Sequence, residues 1–234
     1  VKLLDLAGTY VFSLAGTQVA RERGLDTYGS TAVGLITAVG GGTLRCLLLN
    51  QPAFWMLMPE YVLFALAGSA YTLLLWDRQA GRQEALAPLL DAADGFSISA
   101  FSVIGAHAGI SATGVWLPAL CATLVSATGG GITRDVLVGR PPRVLTTQDD
   151  NYIATATFAC FAFIASLSLR DVLGIPYYVN MLLVTLITFS FRVLYDMCGW
   201  GHLLVAAFHA VASRLPRAGA RAGASPRPMW GGGP

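Results

Sequence analysis

Two stretches decide the reading of this chain: Thr37-Ala38-Val39-Gly40-Gly41-Gly42-Thr43-Leu44-Arg45 and Ser126-Ala127-Thr128-Gly129-Gly130-Gly131-Ile132-Thr133-Arg134. Each is a run of three glycines inside an apolar segment, followed three residues later by an arginine. A shift of 89 residues superposes them. The same shift lays Asp5 on Asp94, Phe12 on Phe101, Ser13 on Ser102, Gly16 on Gly105, Leu48 on Leu137 and Pro52 on Pro141. About twelve of fifty positions agree without a gap, where chance gives about one in twenty, so the chain contains a duplicated unit.

Composition sets the environment of that unit. Of 234 residues, 55% are hydrophobic and only 12% charged, about half the charge of a soluble domain. Seven segments are long and apolar enough to be read as membrane-spanning helices, near 3–20, 29–50, 58–76, 94–112, 114–138, 151–169 and 176–195. The first of them is not a cleaved signal peptide, because a copy of it recurs in mid-chain. The expected fold is an all-α membrane protein of seven transmembrane helices. Single, scattered cysteines (Cys46, Cys121, Cys160 and Cys198) read as small buried hydrophobes rather than a disulfide or metal set.

Basic residues sort by side. With seven spans, one face carries Lys2 and Arg170, and the other carries Arg21, Arg23, Arg78, Arg82, Arg140, Arg143, Arg214, Arg217, Arg221 and Arg227. Two against ten puts the N-terminus outside and the C-terminus in the cytoplasm. Three spans separate the copies, so the second enters the membrane from the opposite face. The expected organisation is a three-helix repeat over residues 1–89, its inverted copy over 90–172, and a seventh helix with an extension over 173–213. Residues 214–234, rich in Arg, Pro, Gly and Ala, read as a disordered tail. His202 and His209 fall in the extension and read as interfacial.

The glycine runs lie near mid-bilayer, about 16 Å into the second span. Three adjacent glycines remove most of the local helix preference, so a kink or break is expected at Gly40–Gly42 and at Gly129–Gly131. Carbonyls freed there, together with the negative end of a half-helix dipole, would suit a cation. The competing reading is close helix packing, which suffices for Gly34, Gly68 and Gly105. Hydroxyls of Thr37, Thr43, Ser126, Thr128 and Thr133 either line the pathway or bond their own helix. Arg45, Arg134 and Asp135 are membrane-depth charges that need partners. The topology offers Asp5 to Arg45 near the outer face and Asp94 to Arg134 near the inner face. Asp135 is answered by Cys46 in the first copy, so the two ends are electrostatically unequal. Arg192 reads as a helix-end partner of Asp196, and His107 as structural.

The pattern Asp5-x-x-Gly8-x-x-x-Phe12-x-x-x-Gly16 followed by Thr37 to Arg45, with its second copy ending Arg134-Asp135-Val136-Leu137, resembles the bacterial branch of the trimeric intracellular cation (TRIC) channel family over about residues 3–200. That resemblance implies a homotrimer with an hourglass pore in each subunit, helices 2 and 5 kinked at the glycines, and potassium as the main permeant ion, with sodium a second candidate. The implied pathway residues are Gly40, Gly41, Gly42, Thr43, Arg45, Gly129, Gly130, Gly131, Thr133, Arg134 and Asp135, with Asp5 and Asp94 as supporting ion pairs. Cys46 and Ser97 depart from the family pattern at an Asp and a Gly. The leading expectation is a potassium-permeable channel in a bacterial inner membrane, in contact with lipid and without cofactor, metal or nucleic acid. The alternative is a secondary transporter of a small solute such as glycine. An enzyme is not expected, since no catalytic constellation is present.

Overall fold

Helix-forming composition, uninterrupted by strand-like alternation, gives eight α-helices and no strand among the described residues of the computed structural model, which are 2–76, 83–146 and 151–198. Arg78, Arg82, the histidines at 202 and 209, and the basic tail lie outside them. The helices are α1 (Lys2–Glu22), α2 (Thr27–Leu48), the short α3 (Phe54–Leu57), α4 (Glu60–Tyr71), α5 (Gln83–Thr113), α6 (Trp116–Leu137), α7 (Asn151–Leu173) and α8 (Tyr177–Cys198). A π-helical turn at Thr72–Trp76 continues α4, and a 3-10 turn at Arg143–Leu145 follows α6. α5 starts well before its expected position at 94, because helix-favouring Gln83, Glu84, Ala85 and Leu86 extend it across the expected repeat boundary at 89/90.

Among the described residues, four helical stretches are long and apolar enough to cross a membrane: Thr27–Leu48, Ala92–Thr113, Tyr152–Leu173 and Tyr177–Cys198. α1 and α6 have the length, at 21 and 22 residues, but Ser, Thr, Gly and charged residues dilute them. The distribution of polarity fits a lipid solvent. α8 turns Asn180, Thr185, Thr188 and Arg192 inward and Leu182, Leu183, Leu186, Ile187 and Leu194 outward. A helix in water does the reverse. Cys46 and Cys160 are buried as expected, but Cys121 and Cys198 are exposed, on the outward faces of α6 and α8.

The duplicated sequence ends its two glycine-run helices in the same way. At α2, the N–H groups of Leu49, Asn50 and Gln51 donate to the carbonyls of Arg45, Leu47 and Cys46. At α6, Val138, Gly139 and Arg140 donate to Arg134, Val136 and Asp135, each shifted by 89. Both ends need a left-handed residue, supplied by Asn50 (φ 53°) and Gly139 (φ 69°).

Small residues bring the helices into backbone contact. α1 packs on α2, α4 and α5; α6 packs on α2, α5 and α7; α8 packs on α5 and α7. A methyl group on Gly16 would strike Thr37 of α2, and one on Gly105 would come 2.7 Å from the Cα of Thr123 on α6. Gly34 and Gly68 are equally confined, by Ser69 and by the Tyr10 carbonyl. Close packing is therefore what these glycines do. Buried hydroxyls hold the α1–α4 contact: Ser13 Oγ donates to the Ala65 carbonyl at 2.5 Å, and Thr17 donates to Ser69 at 2.9 Å. Between α5, α6, α7 and α8 the core is apolar, around Val103, Ala119, Ala159, Phe163 and Val184.

Gly105→Val is expected to destabilise the protein by about 1–3 kcal/mol through overpacking of the α5–α6 contact. The check is a lowered thermal midpoint in detergent, beside an unchanged one for Leu186→Val on the outward face of α8.

Candidate functional site

The triple glycines do not break their helices. Helical hydrogen bonding runs without interruption from Thr27 to Leu48 and from Trp116 to Leu137. Tertiary packing overrides the weak helix preference of glycine here, because the two runs lie against each other. A methyl on Gly41 would stand 2.5 Å from the Ser126 carbonyl oxygen, and one on Gly130 would collide with the Thr37 carbonyl. One on Gly129 would lie 3.2 Å from the Cα of Gly41. Since Thr37 meets Gly130 while Gly41 meets Ser126, α2 and α6 cross antiparallel. Both helices are continuous through the runs, so the full break that three glycines permit is not taken at either one. The threonines follow suit. Thr37, Thr43, Thr128 and Thr133 each donate to the carbonyl four residues back, at 2.7 to 2.8 Å.

Beyond one end of the crossing lies Arg45, buried, with its Nη1 donating to Ser126 Oγ at 3.3 Å. α3 folds back over this end. The Phe54 ring fills the space left by Gly42 and lies 6.0 Å from the Arg45 guanidinium, and Trp55 Nε1 donates to Thr43 Oγ1 at 3.0 Å. Asp5 accepts from Tyr61 at 2.5 Å, and its carboxylate feels Arg45 through space without contact. The expected Asp5–Arg45 pair is thus electrostatic, with Tyr61 as the direct partner.

Beyond the other end lies Asp135, 1% exposed. Its Oδ1 accepts from Arg134 Nε and Arg140 Nε, both at 2.8 Å, and its Oδ2 accepts from the backbone N–H of Arg143 at 3.0 Å. This carboxylate ties the 3-10 turn to the end of α6. Arg143 corresponds by the 89-residue shift to Phe54, so the turn is the counterpart of α3. Arg134 turns to its neighbour Asp135 rather than to Asp94. Asp94 accepts instead from Tyr152 at 2.7 Å and lies 3.8 Å from Arg192 of α8, whose guanidinium sits 4.7 Å over the Tyr152 ring. Arg192 therefore points inward to α5. A cavity of about 310 Å³ opens on this side, between Phe12, Gln18 and Glu22 of α1, Thr37 of α2, Asp94, and Gly131 and Arg134 of α6. A methyl on Gly131 would meet Arg134 Nη2 at 3.8 Å, and one on Gly40 would meet Gly130 at 3.5 Å, both at ordinary contact distance.

Tyr61, Tyr152, Arg140 and Arg192 were not among the expected site residues. The tyrosines follow their aspartates by 56 and 58 residues, a near-repeat that the sequence displays. For Arg192, outside the duplication, no such signal exists. His107 sits apart, bonded to Tyr177 and to Ser111 (3.0 Å), a structural role.

This all-helical, multi-pass membrane fold is shared with TRIC channels. The crystal structure of a TRIC trimeric intracellular cation channel orthologue from Rhodobacter sphaeroides superposes with a TM-score of 0.69 at 30% identity, covering 84% of this chain and 97% of that one. A second TRIC cation channel structure gives 0.73 at 26% identity, over 95% and 99%. The UPF0126 inner membrane protein YadS of Escherichia coli K12 is 34% identical over 146 residues, which is 62% of this chain and 69% of YadS. A family model described as a glycine transporter matches residues 2–77 and 91–167. The chain belongs to this family, the TRIC-like membrane proteins.

Asp135→Asn is expected to cost about 3–5 kcal/mol, because two arginines then lose their buried counter-charge. Asp94→Asn costs less, its side chain being a quarter exposed. Thermal unfolding of the two variants in detergent gives the comparison.

Proposed function

We propose that this protein is a passive, potassium-permeable monovalent cation channel whose pathway lies within each subunit at the α2–α6 crossing. The observation that carries the reading is the likeness to the Rhodobacter sphaeroides cation channel orthologue across nearly its whole length. The cavity lined by Asp94, Glu22 and Arg134 is also lined by Thr37 and Gly131, which supports a pathway reaching the crossing from this side. Pathway residues on this reading are Gly40, Gly41, Gly42, Thr43 and Arg45 from α2, and Gly129, Gly130, Gly131, Thr133, Arg134 and Asp135 from α6. Asp5 and Asp94 set the charge at its two ends.

The chain crosses a bacterial inner membrane seven times, with α3 folded back rather than spanning. Its N-terminus is outside and its C-terminus cytoplasmic. Residues 1–89 and 90–172 are inverted repeats, and 173–213 hold α8 and an extension. Two matches of one family model, starting at residues 2 and 91, support the duplication, as do the matching ends of α2 and α6. The working unit is a homotrimer, as the family relative is described. It is not an enzyme.

The description of the family model favours a second reading, a carrier of glycine or a similar small solute. Planar-bilayer recording of the purified protein separates the two. Discrete unitary potassium currents are expected, and Gly40→Leu and Gly131→Leu should lower their conductance severalfold, since a Cβ meets no clash at either position and the added side chain would narrow the pathway. Saturable glycine uptake into vesicles with no unitary current would overturn the channel.

A further inference from the structure

We infer that Arg192, from the long helix outside the repeat, sets the effective charge of Asp94 at the cavity and so governs how strongly that end of the pathway attracts cations. The inference rests on the channel reading and deepens it. Asp94 is part of the cavity wall and Arg192 is not; the arginine stands behind the wall. Its Nη2 lies 3.8 Å from Asp94 Oδ2, and its guanidinium covers the Tyr152 ring that donates to the same carboxylate oxygen. Gly95 leaves the room for this approach, since a methyl there would come 2.9 Å from Arg192 Nε. The Nη1 of Arg192 is buried and makes no hydrogen bond among the described residues. The arginine is thus held for its charge and its ring contact rather than as a saturated hydrogen-bonding centre.

The repeat explains why α8 is needed. In the first half, Asp5 is bonded to Tyr61 and is balanced by Arg45 of the same repeat. In the second half, the equivalent arginine, Arg134, is bound to Asp135, a carboxylate with no counterpart in the first half, where Cys46 stands. Arg192 takes over the balancing of Asp94. Asp94 and Glu22 share the cavity wall with Arg134 and Arg143; with Arg192 present that wall is less negative than it would be without it.

Arg192 is a positioning residue acting through Asp94, and the test is built to show that dependence. Full-length wild type, Arg192→Gln, Arg192→Lys, Asp94→Asn and the double variant are recorded in planar bilayers, with potassium current drawn from the Arg134 side. At about 10 mM salt, Arg192→Gln is expected to raise that current about two- to fivefold, and the gain should vanish near 1 M salt, where charges are screened within about 3 Å. Arg192→Lys should fall between wild type and Arg192→Gln. Asp94→Asn should lower the current, and the double variant should match Asp94→Asn, because Arg192 then acts on no carboxylate of the cavity wall. A gain from Arg192→Gln that persists beside Asp94→Asn overturns the inference, as does a loss of current that salt does not alter. If Arg192→Gln does not fold, Arg192→Lys and the double variant decide it: Lys indistinguishable from wild type at low salt, or a double variant unlike Asp94→Asn, sinks it. Absence of unitary current in wild type would instead remove the channel reading itself, and the inference with it.

Discussion

Backbone contact between α2 and α6 is the constraint on which the rest of this structure depends. Two carbonyls, those of Ser126 and Thr37, occupy the volume that side chains on Gly41 and Gly130 would need. Only glycine allows that approach, and the approach fixes the rest. It makes the crossing antiparallel, which puts Arg45 beyond one end and Arg134 beyond the other. It brings Ser126 within reach of Arg45. It also leaves the segments after each helix, α3 and the 3-10 turn, to fold back over the two ends.

In hydrocarbon, an apolar surface gains little by burial against another apolar surface, so association rests on fit and on polar contacts. Both are visible. Gly16, Gly34, Gly68 and Gly105 provide the fit, and Ser13, Thr17 and Ser69 provide the polar contacts between α1 and α4. The two ends of the crossing hold their arginines differently. Arg45 relies on one hydroxyl and the face of Phe54. Arg134 relies on a carboxylate that also captures Arg140 and the Arg143 backbone. The first end is therefore held by weaker and more easily exchanged contacts than the second.

Much of this was legible in the sequence because periodicity and duplication are local properties. The helix positions follow from apolar runs, the matched ends of α2 and α6 from the 89-residue shift, and the packing roles of Gly34, Gly68 and Gly105 from their size. Of the kink or break expected at the glycine runs, the full break is what failed: both helices stay continuous. Helix propensity is a preference of an isolated segment, and here each run is held by the other, a contact between residues about 90 positions apart. Partner choice failed for a related reason. Arg134 has Asp135 beside it in sequence as well as Asp94 across the cavity, and spacing alone does not rank them. Arg192 belongs to α8, which has no copy, so the repeat carries no hint of its contact with Asp94.

The intact helices also bear on how a cation would be handled. A carbonyl engaged in a helical hydrogen bond offers a cation little, whereas a hydroxyl that donates to the carbonyl four residues back turns its lone pairs outward. Thr37, Thr128 and Thr133 are in that state, while the Thr43 hydroxyl also accepts from Trp55. Fixed, neutral acceptors of this kind can replace part of a hydration shell without holding the ion tightly. The full charges stand beyond the crossing, at Asp5 with Arg45 on one side and at Asp94 with Arg192 on the other. Conduction needs binding that is weak along the pathway and attraction that is stronger at its mouths. A coupled carrier needs the opposite, a charged site at the midplane. If the pathway runs through the crossing as proposed, hydroxyls at its centre and carboxylates at its ends fit passive flow.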